Sequence, residues 1–212
     1  MRLRRDCIAV VLEHKLYLYA FSDLRLLHAI ETLSNPCGLA ALSHAPGTAV
    51  LACPGLHRGA LRLEWYEGSE CAGGAPSHSA RRTRFIAAHD GALAALALTA
   101  DGSRVATASE KGTLVRVFAT ISGSALAELR RGSDRATIFS LALSHDGLWA
   151  AASSDKGTAH VWSVAAAAEE FFREEQRSSG GGTKERQRPH PPAARCHLWC
   201  AAGHPCCSDA AV

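Results

Sequence analysis

Short apolar runs separated by turn residues recur along the first 164 positions of the chain. Leu93–Leu98 and Ile138–Leu143 are apolar stretches of the length expected for a buried strand. Asp-Gly follows each of them, at 101–102 and 146–147. That pair supplies the positive φ angles a tight hairpin needs. Runs of small residues come next, Val105–Ser109 and Trp149–Ser153. Lys-Gly at 111–112 and 156–157 marks a second turn, and alternating stretches follow at Thr113–Phe118 and Thr158–Trp162. Strand, turn, strand, turn, strand predicts an antiparallel meander.

The two copies are offset by 45 residues, counted either from Asp101 to Asp146 or from Ser109 to Ser154. That period matches the roughly 40–45 residues of a four-stranded propeller blade. Alanine is a poor strand former, and its abundance here suits close packing between blades. Two looser units precede the repeat. One holds Cys7–Leu12 and Leu16–Phe21 around Glu-His-Lys, then Leu26–Ile30. The other holds Gly38–Ser43, a Pro-Gly turn at 46–47, Ala49–Cys53 and Ala60–Tyr66. Residues 67–84 are rich in Gly, Ser, Ala and Arg and read as a long surface loop.

The expected fold is all-β: an incomplete WD40-like β-propeller of about 3.5–4 blades, where a seven-bladed one needs about 315 residues. Its units are about 1–33, 35–85, 86–131 and 135–164. Residues 165–212 are expected to form a tail outside the propeller. Ala165–Gln176 is helix-prone, Ser178–Gly182 is a Ser/Gly linker, and Lys184–Pro192 is charged, Pro-rich and expected to be disordered. The fourth unit shows no last strand.

The chain has 212 residues, 47% hydrophobic and 20% charged, enough for a core. A net charge of +3 is too mild for an electrostatic nucleic-acid binder, so no nucleic-acid partner is expected. No apolar run approaches the length of a membrane span. The first apolar run, Cys7–Leu12, is too short for a signal peptide and meets Glu13, His14 and Lys15. A cytosolic or nuclear chain is therefore expected. Eight cysteines are present. Cys7, Cys37, Cys53 and Cys71 are scattered singly and read as buried thiols of a reducing compartment. The remainder sit near the C-terminus.

One strip carries a resemblance. Glu128-Leu129-Arg130-Arg131-Gly132-Ser133-Asp134-Arg135-Ala136 lies between Ala106–Phe118 and Ser153–Val161. Together these residues closely resemble the PROPPIN family, the autophagy-related protein 18 type of β-propeller. Leu3–Asp6 through Glu13, and Asn35–Leu39, also look like that family. The resemblance covers roughly residues 1–162 and implies two headgroup pockets on a propeller rim. These pockets would recognise phosphatidylinositol 3-phosphate and 3,5-bisphosphate. It also implies autophagy proteins as partners, with a location in the cytoplasm and peripherally on membranes of the preautophagosomal structure or endosome. In the family the loop leading to the last strand of the fourth unit inserts into the bilayer. Nothing at 163–212 resembles it, apart from Phe171-Phe172 on an amphipathic stretch. Leu129 stands where many relatives have Phe.

The residue types suit the chemistry. A phosphomonoester carries about −1.5 to −2 charges, and arginine meets it with a planar fork of donors that keeps its charge. Adjacent side chains of an extended segment point to opposite sides, so Arg130 and Arg131 can serve two pockets. Gly132 removes a side chain where the backbone must turn or let a ligand approach. By resemblance, the first pocket would use Arg130 with His89, Ser109, Thr113 and Arg116. The second would use Arg131 with Ser154, Thr158, His160 and Lys156. If His89 and His160 gain protons they donate more strongly, which predicts binding that rises as pH falls toward 6.

Each of these has a plainer reading. Arg130-Arg131 can be a solvated pair, and the hydroxyl residues can bond local backbone. His89 can be the blade histidine that generic WD-type repeats carry before a strand. Lys111 and Lys156 read as turn residues, and Trp149 and Trp162 as packing residues. Cys196, Cys200, His204 and Cys206 offer weak candidates for a zinc ion, but the surrounding Ala, Pro and Gly give little to fold around it. No metal or cofactor is expected. No Gly-x-Ser-x-Gly, phosphate loop or His-Glu-x-x-His is present, so a binding module rather than an enzyme is expected. The rival readings are a WD-type interaction scaffold without lipid binding and a truncated product without function.

Overall fold

Four antiparallel meanders follow one another along the chain in the computed structural model, which describes residues 1–67, 82–169 and 171 and the backbone of 197–200. The first sheet is β1 (Arg2–Leu3), β2 (Cys7–Val11), β3 (Lys15–Ala20) and β4 (Leu26–Glu31). The second is β5 (Ala41–Leu42), β6 (Ala49–Pro54), β7 (Ala60–Tyr66) and β8 (Arg82–Ala87). The third is β9 (Leu93–Leu98), β10 (Arg104–Ser109), β11 (Leu114–Ala119) and β12 (Ala125–Arg130). The fourth is β13 (Ile138–Leu143), β14 (Trp149–Ser154), β15 (Thr158–Ser163) and β16 (His197–Cys200). Strand order within each sheet follows the sequence. This is the blade pattern of a propeller, and it agrees with the expected all-β, incomplete propeller.

The alanines sit where sheets meet. Ala106, Ala108, Ala127, Ala150 and Ala152 are buried in one cluster with Val115, Val117, Leu129, Ile138 and Trp162, shared by the third and fourth sheets. Two similar clusters join the first sheet to the second and the second to the third. Small side chains let the sheets approach closely, which offsets the low strand propensity of alanine.

A backbone joint repeats between sheets. The connector leaving each of the first three sheets doubles back over the turn between that sheet's second and third strands. Asn35 N–H donates to Glu13 O at 2.7 Å, Ala88 N–H to Gly59 O at 3.0 Å, and Ala136 N–H to Lys111 O at 3.2 Å. Gly112 shows why this turn needs glycine. Its φ is +65°, and a Cβ there would lie 1.8 Å from Ala136 O.

Four expectations are corrected. The tail does not lie wholly outside the propeller, because β16 pairs with β15 from Thr158↔Cys200 to Val161↔His197. An edge strand presents unpaired N–H and C=O groups, and this short segment satisfies those of β15. Residues 164–169 begin as helix, as the alanine run predicts. The loop at 67–84 is shorter at its far end, since β8 begins at Arg82 and pairs with Trp65. Cys7 and Cys53 are buried free thiols, but Cys37 is exposed. Burial pushes the Cys53 thiol up to about 12, so it is inert. Trp162 is fully buried, whereas Trp149 is 48% exposed, because no neighbouring sheet among the described residues covers it. Cys71, the linker and most of the C-terminal cysteines and histidines lie outside the described residues.

Candidate functional site

The turn between β10 and β11 forms one wall of a cleft of about 330 Å³. His89, Ser109, Thr113 and Arg116 all line it, so the structure brings together four of the five residues assigned to the first pocket. Lys111 and Arg135 line it too. Sequence reading treated Lys111 as a turn residue and left Arg135 without a role, although Arg135 stands in the strip that carried the resemblance. Both are cations aimed at the same opening, which alternation along a strand cannot reveal for turn and connector residues. Two carboxylates, Asp90 and Glu110, are also in the lining, and Glu110 is paired with Arg58.

Several of these groups already have partners. The Arg116 guanidinium donates to Glu128 Oε2 at 2.8 Å and to Ala88 O at 2.8 Å. A His89 ring nitrogen, Nε2, contacts Thr107 Oγ1 at 3.0 Å, the local bond that the blade-histidine reading requires. Burial lowers the His89 pKa, and the Arg116 charge lowers it further.

Arg130 is not a lining residue. It ends β12 directly opposite Leu114, which is in the lining. Leu129 beside it is fully buried in the core, while Arg130 is exposed. Leu129 and Arg130 therefore face opposite ways, with Leu129 as the strip's anchor. The Arg130 side chain makes no hydrogen bond or ion pair among the described residues. Arg131 lies half-buried just past β12. Its backbone N–H donates to Thr113 O at 2.9 Å, and its guanidinium donates to Gly112 O at 2.6 Å and to Asp134 O. Gly132 has no left-handed φ, and a Cβ there would meet nothing within 4 Å. The fold does not require glycine at this position.

The second group sits on the turn from β14 to β15. Thr158 Oγ1 and His160 Nε2 are 3.1 Å apart, and the His160 ring stacks on Trp162 with centroids 5.5 Å apart. Ser154 is 5% exposed, and its hydroxyl has no hydrogen-bond partner among the described residues. Lys156 is exposed in the turn. Burial, then the charge of Arg131, lowers the His160 pKa, which places that guanidinium near the ring. At both histidines burial and an adjacent arginine oppose the added charge, which works against the expected rise of binding through their protonation. Of the proposed zinc ligands only the backbone of Cys200, on β16, is described; Cys196, His204 and Cys206 lie outside. No described helix is long and apolar enough to cross a membrane.

Four four-stranded blades, with a cleft beside an Arg-Arg-Gly strip, define an open segment of a β-propeller. The sequence profile of the PROPPIN family matches residues 1–185. The chain belongs to the PROPPIN family. It is 44% identical over 163 residues to autophagy-related protein 18e of Arabidopsis thaliana, covering 76% of this chain and 40% of that protein. WD repeat domain phosphoinositide-interacting protein 2 of Mus musculus is 40% identical over 168 residues, covering 78% of this chain and 36% of the relative. Hsv2 of Kluyveromyces lactis superposes with a TM-score of 0.63 at 28% identity, over 77% of this chain and 47% of that one. The chain spans less than half the length of these relatives.

Proposed function

We propose that this chain binds phosphoinositide headgroups, phosphatidylinositol 3-phosphate and 3,5-bisphosphate, at the surface of autophagic membranes. It does so through the Arg130-Arg131-Gly132 strip and the two groups of residues that flank it. One observation carries the reading: an exposed, unpaired Arg130 and a sterically unnecessary Gly132 stand beside a cleft that already gathers His89, Ser109, Lys111, Thr113, Arg116 and Arg135. Those are fork donors, hydroxyls and cations, the set a phosphomonoester takes. The mouse relative's name, a phosphoinositide-interacting protein, supports the same chemistry.

The binding is weak and salt-sensitive. Avidity for a membrane comes from two headgroup sites or from a headgroup site plus an apolar insertion. Here Arg131 and Arg116 are already engaged by protein acceptors, and a headgroup must displace them. Vesicle sedimentation tests this. With vesicles containing phosphatidylinositol 3-phosphate, the Arg130→Thr/Arg131→Thr double variant binds at least about tenfold more weakly than the unaltered chain, a loss of about 1.4 kcal/mol. Equal sedimentation of both would favour an interaction scaffold without lipid binding.

A further inference from the structure

We propose that Ser133 is a phosphoacceptor for a protein kinase that selects basic sequences, and that its phosphate is then held by the arginines of the same strip. The sequence Arg130-Arg131-Gly132-Ser133 places arginine three and two residues before a serine, a charge pattern by which such kinases choose substrates. Ser133 is exposed, and residues 131–137 belong to no strand. Its hydroxyl makes one long contact, 3.4 Å to the Asp134 carboxylate, so it is available to react. The absence of any atom within 4 Å of a Cβ at Gly132 leaves room beside it.

The chemistry balances without a redox partner. Ser133 Oγ attacks the terminal phosphorus of a nucleoside triphosphate held by the kinase. The Oγ–P bond forms, the bond from that phosphorus to the bridging oxygen breaks, the nucleoside diphosphate leaves, and the hydroxyl proton passes to the kinase's base. The product adds about −1.5 to −2 charges within three residues of Arg130, Arg131 and Arg135, which outnumber the one carboxylate beside it, Asp134. The Arg130 and Arg135 side chains have no hydrogen bond or ion pair among the described residues. Arg131 holds only neutral carbonyls, of Gly112 and Asp134, which a phosphate dianion outcompetes. Phosphate on Ser133 therefore occupies the arginines that a headgroup needs. This consequence rests on the lipid-binding reading; the modification itself does not.

The test treats the full chain with magnesium, ATP and the catalytic subunit of cyclic-AMP-dependent protein kinase. Mass spectrometry then finds one phosphate at Ser133, absent from Ser133→Ala. In ³¹P NMR titration, the second ionisation of that phosphoserine lies lower in the folded chain than in the urea-unfolded chain. Sedimentation with vesicles containing phosphatidylinositol 3-phosphate falls at least about tenfold on phosphorylation, while kinase-treated Ser133→Ala sediments like the untreated chain. No phosphate at Ser133, equal ionisation in both states, or a phosphorylated chain that sediments unchanged would each overturn the proposal. If the unmodified chain fails to sediment, the lipid-binding reading fails, and the first two measurements still decide the fate of Ser133.

Discussion

The turn from β10 to β11 and the turn from β14 to β15 carry nearly the same residues, Ser-Glu-Lys-Gly-Thr and Ser-Asp-Lys-Gly-Thr, 45 positions apart. Their surroundings differ. The first is crossed by the strip 131–136, which bonds to the backbone of Lys111, Gly112 and Thr113. The second has no such strip among the described residues, and a Cβ at Gly157 would meet nothing within 4 Å. The motif sets the turn, but the connector of the next unit makes the cleft. A cleft of this kind is a property of two neighbouring blades, and repeat residues alone supply only part of its lining.

Substituting the two turn glycines breaks this comparison most strongly. Both have positive φ, +65° at Gly112 and +70° at Gly157, so alanine costs about 1–2 kcal/mol at either through backbone strain. Only at Gly112 does the new Cβ also collide with Ala136 O. Gly112→Ala is therefore expected to destabilise the chain by about 3 kcal/mol or more, and Gly157→Ala by no more than about 2 kcal/mol. Urea unfolding midpoints measure both. Equal losses would mean that the strip does not press on the third blade's turn.

Most of the scaffold was legible for a reason this contrast makes plain. The 45-residue offset, the Asp-Gly and Lys-Gly turns and the six-residue apolar runs are local signals, and β9, β10, β13 and β14 fall where those signals put them. What was not legible depends on distant backbone. Residues 164–196 separate β16 from its partner β15, so no local pattern announces the pairing. The capture of Arg131 by Gly112 O depends on a carbonyl that every residue possesses. Half-buried His89 and buried His160 were read as proton donors because sequence does not report how much water a ring loses. Family resemblance grouped His89, Ser109, Thr113 and Arg116, which the cleft brings together, with Arg130, which it does not; Lys111 and Arg135 entered only with the cleft's lining.

The hydroxyls at the head of the two turns sharpen the comparison with a smaller effect. Ser109 lines the cleft, whereas the buried Ser154 hydroxyl lacks a hydrogen-bond partner among the described residues. A buried unsatisfied polar group costs about 1–3 kcal/mol. Ser154→Ala is expected to raise stability by about 1 kcal/mol and to lower headgroup binding severalfold, which separates a ligand role from a structural one. A loss of stability in Ser154→Ala would assign the hydroxyl to the fold instead.

The smallest effect is the pH dependence of stability, and it tests whether the two histidines share one electrostatic situation. His89 is pushed below its ordinary pKa by burial and then by Arg116; His160 by burial and then by Arg131. The unfolded chain takes up these protons near pH 6.5, while the folded chain resists until a lower pH. Between those two values the unfolded state binds more protons, so stability is full above pH 7 and declines as pH falls through 6.5. Replacing either ring removes its share of the slope. His89→Gln keeps a group able to meet Thr107 Oγ1, and His160→Gln one able to meet Thr158 Oγ1, so each variant isolates titration from the lost hydrogen bond. Thermal unfolding from pH 7.5 to 5.5 reads the slope in both. If only His89→Gln flattens it, the roofed turn alone holds its histidine neutral, and the fourth blade's ring is hydrated despite its stacking on Trp162.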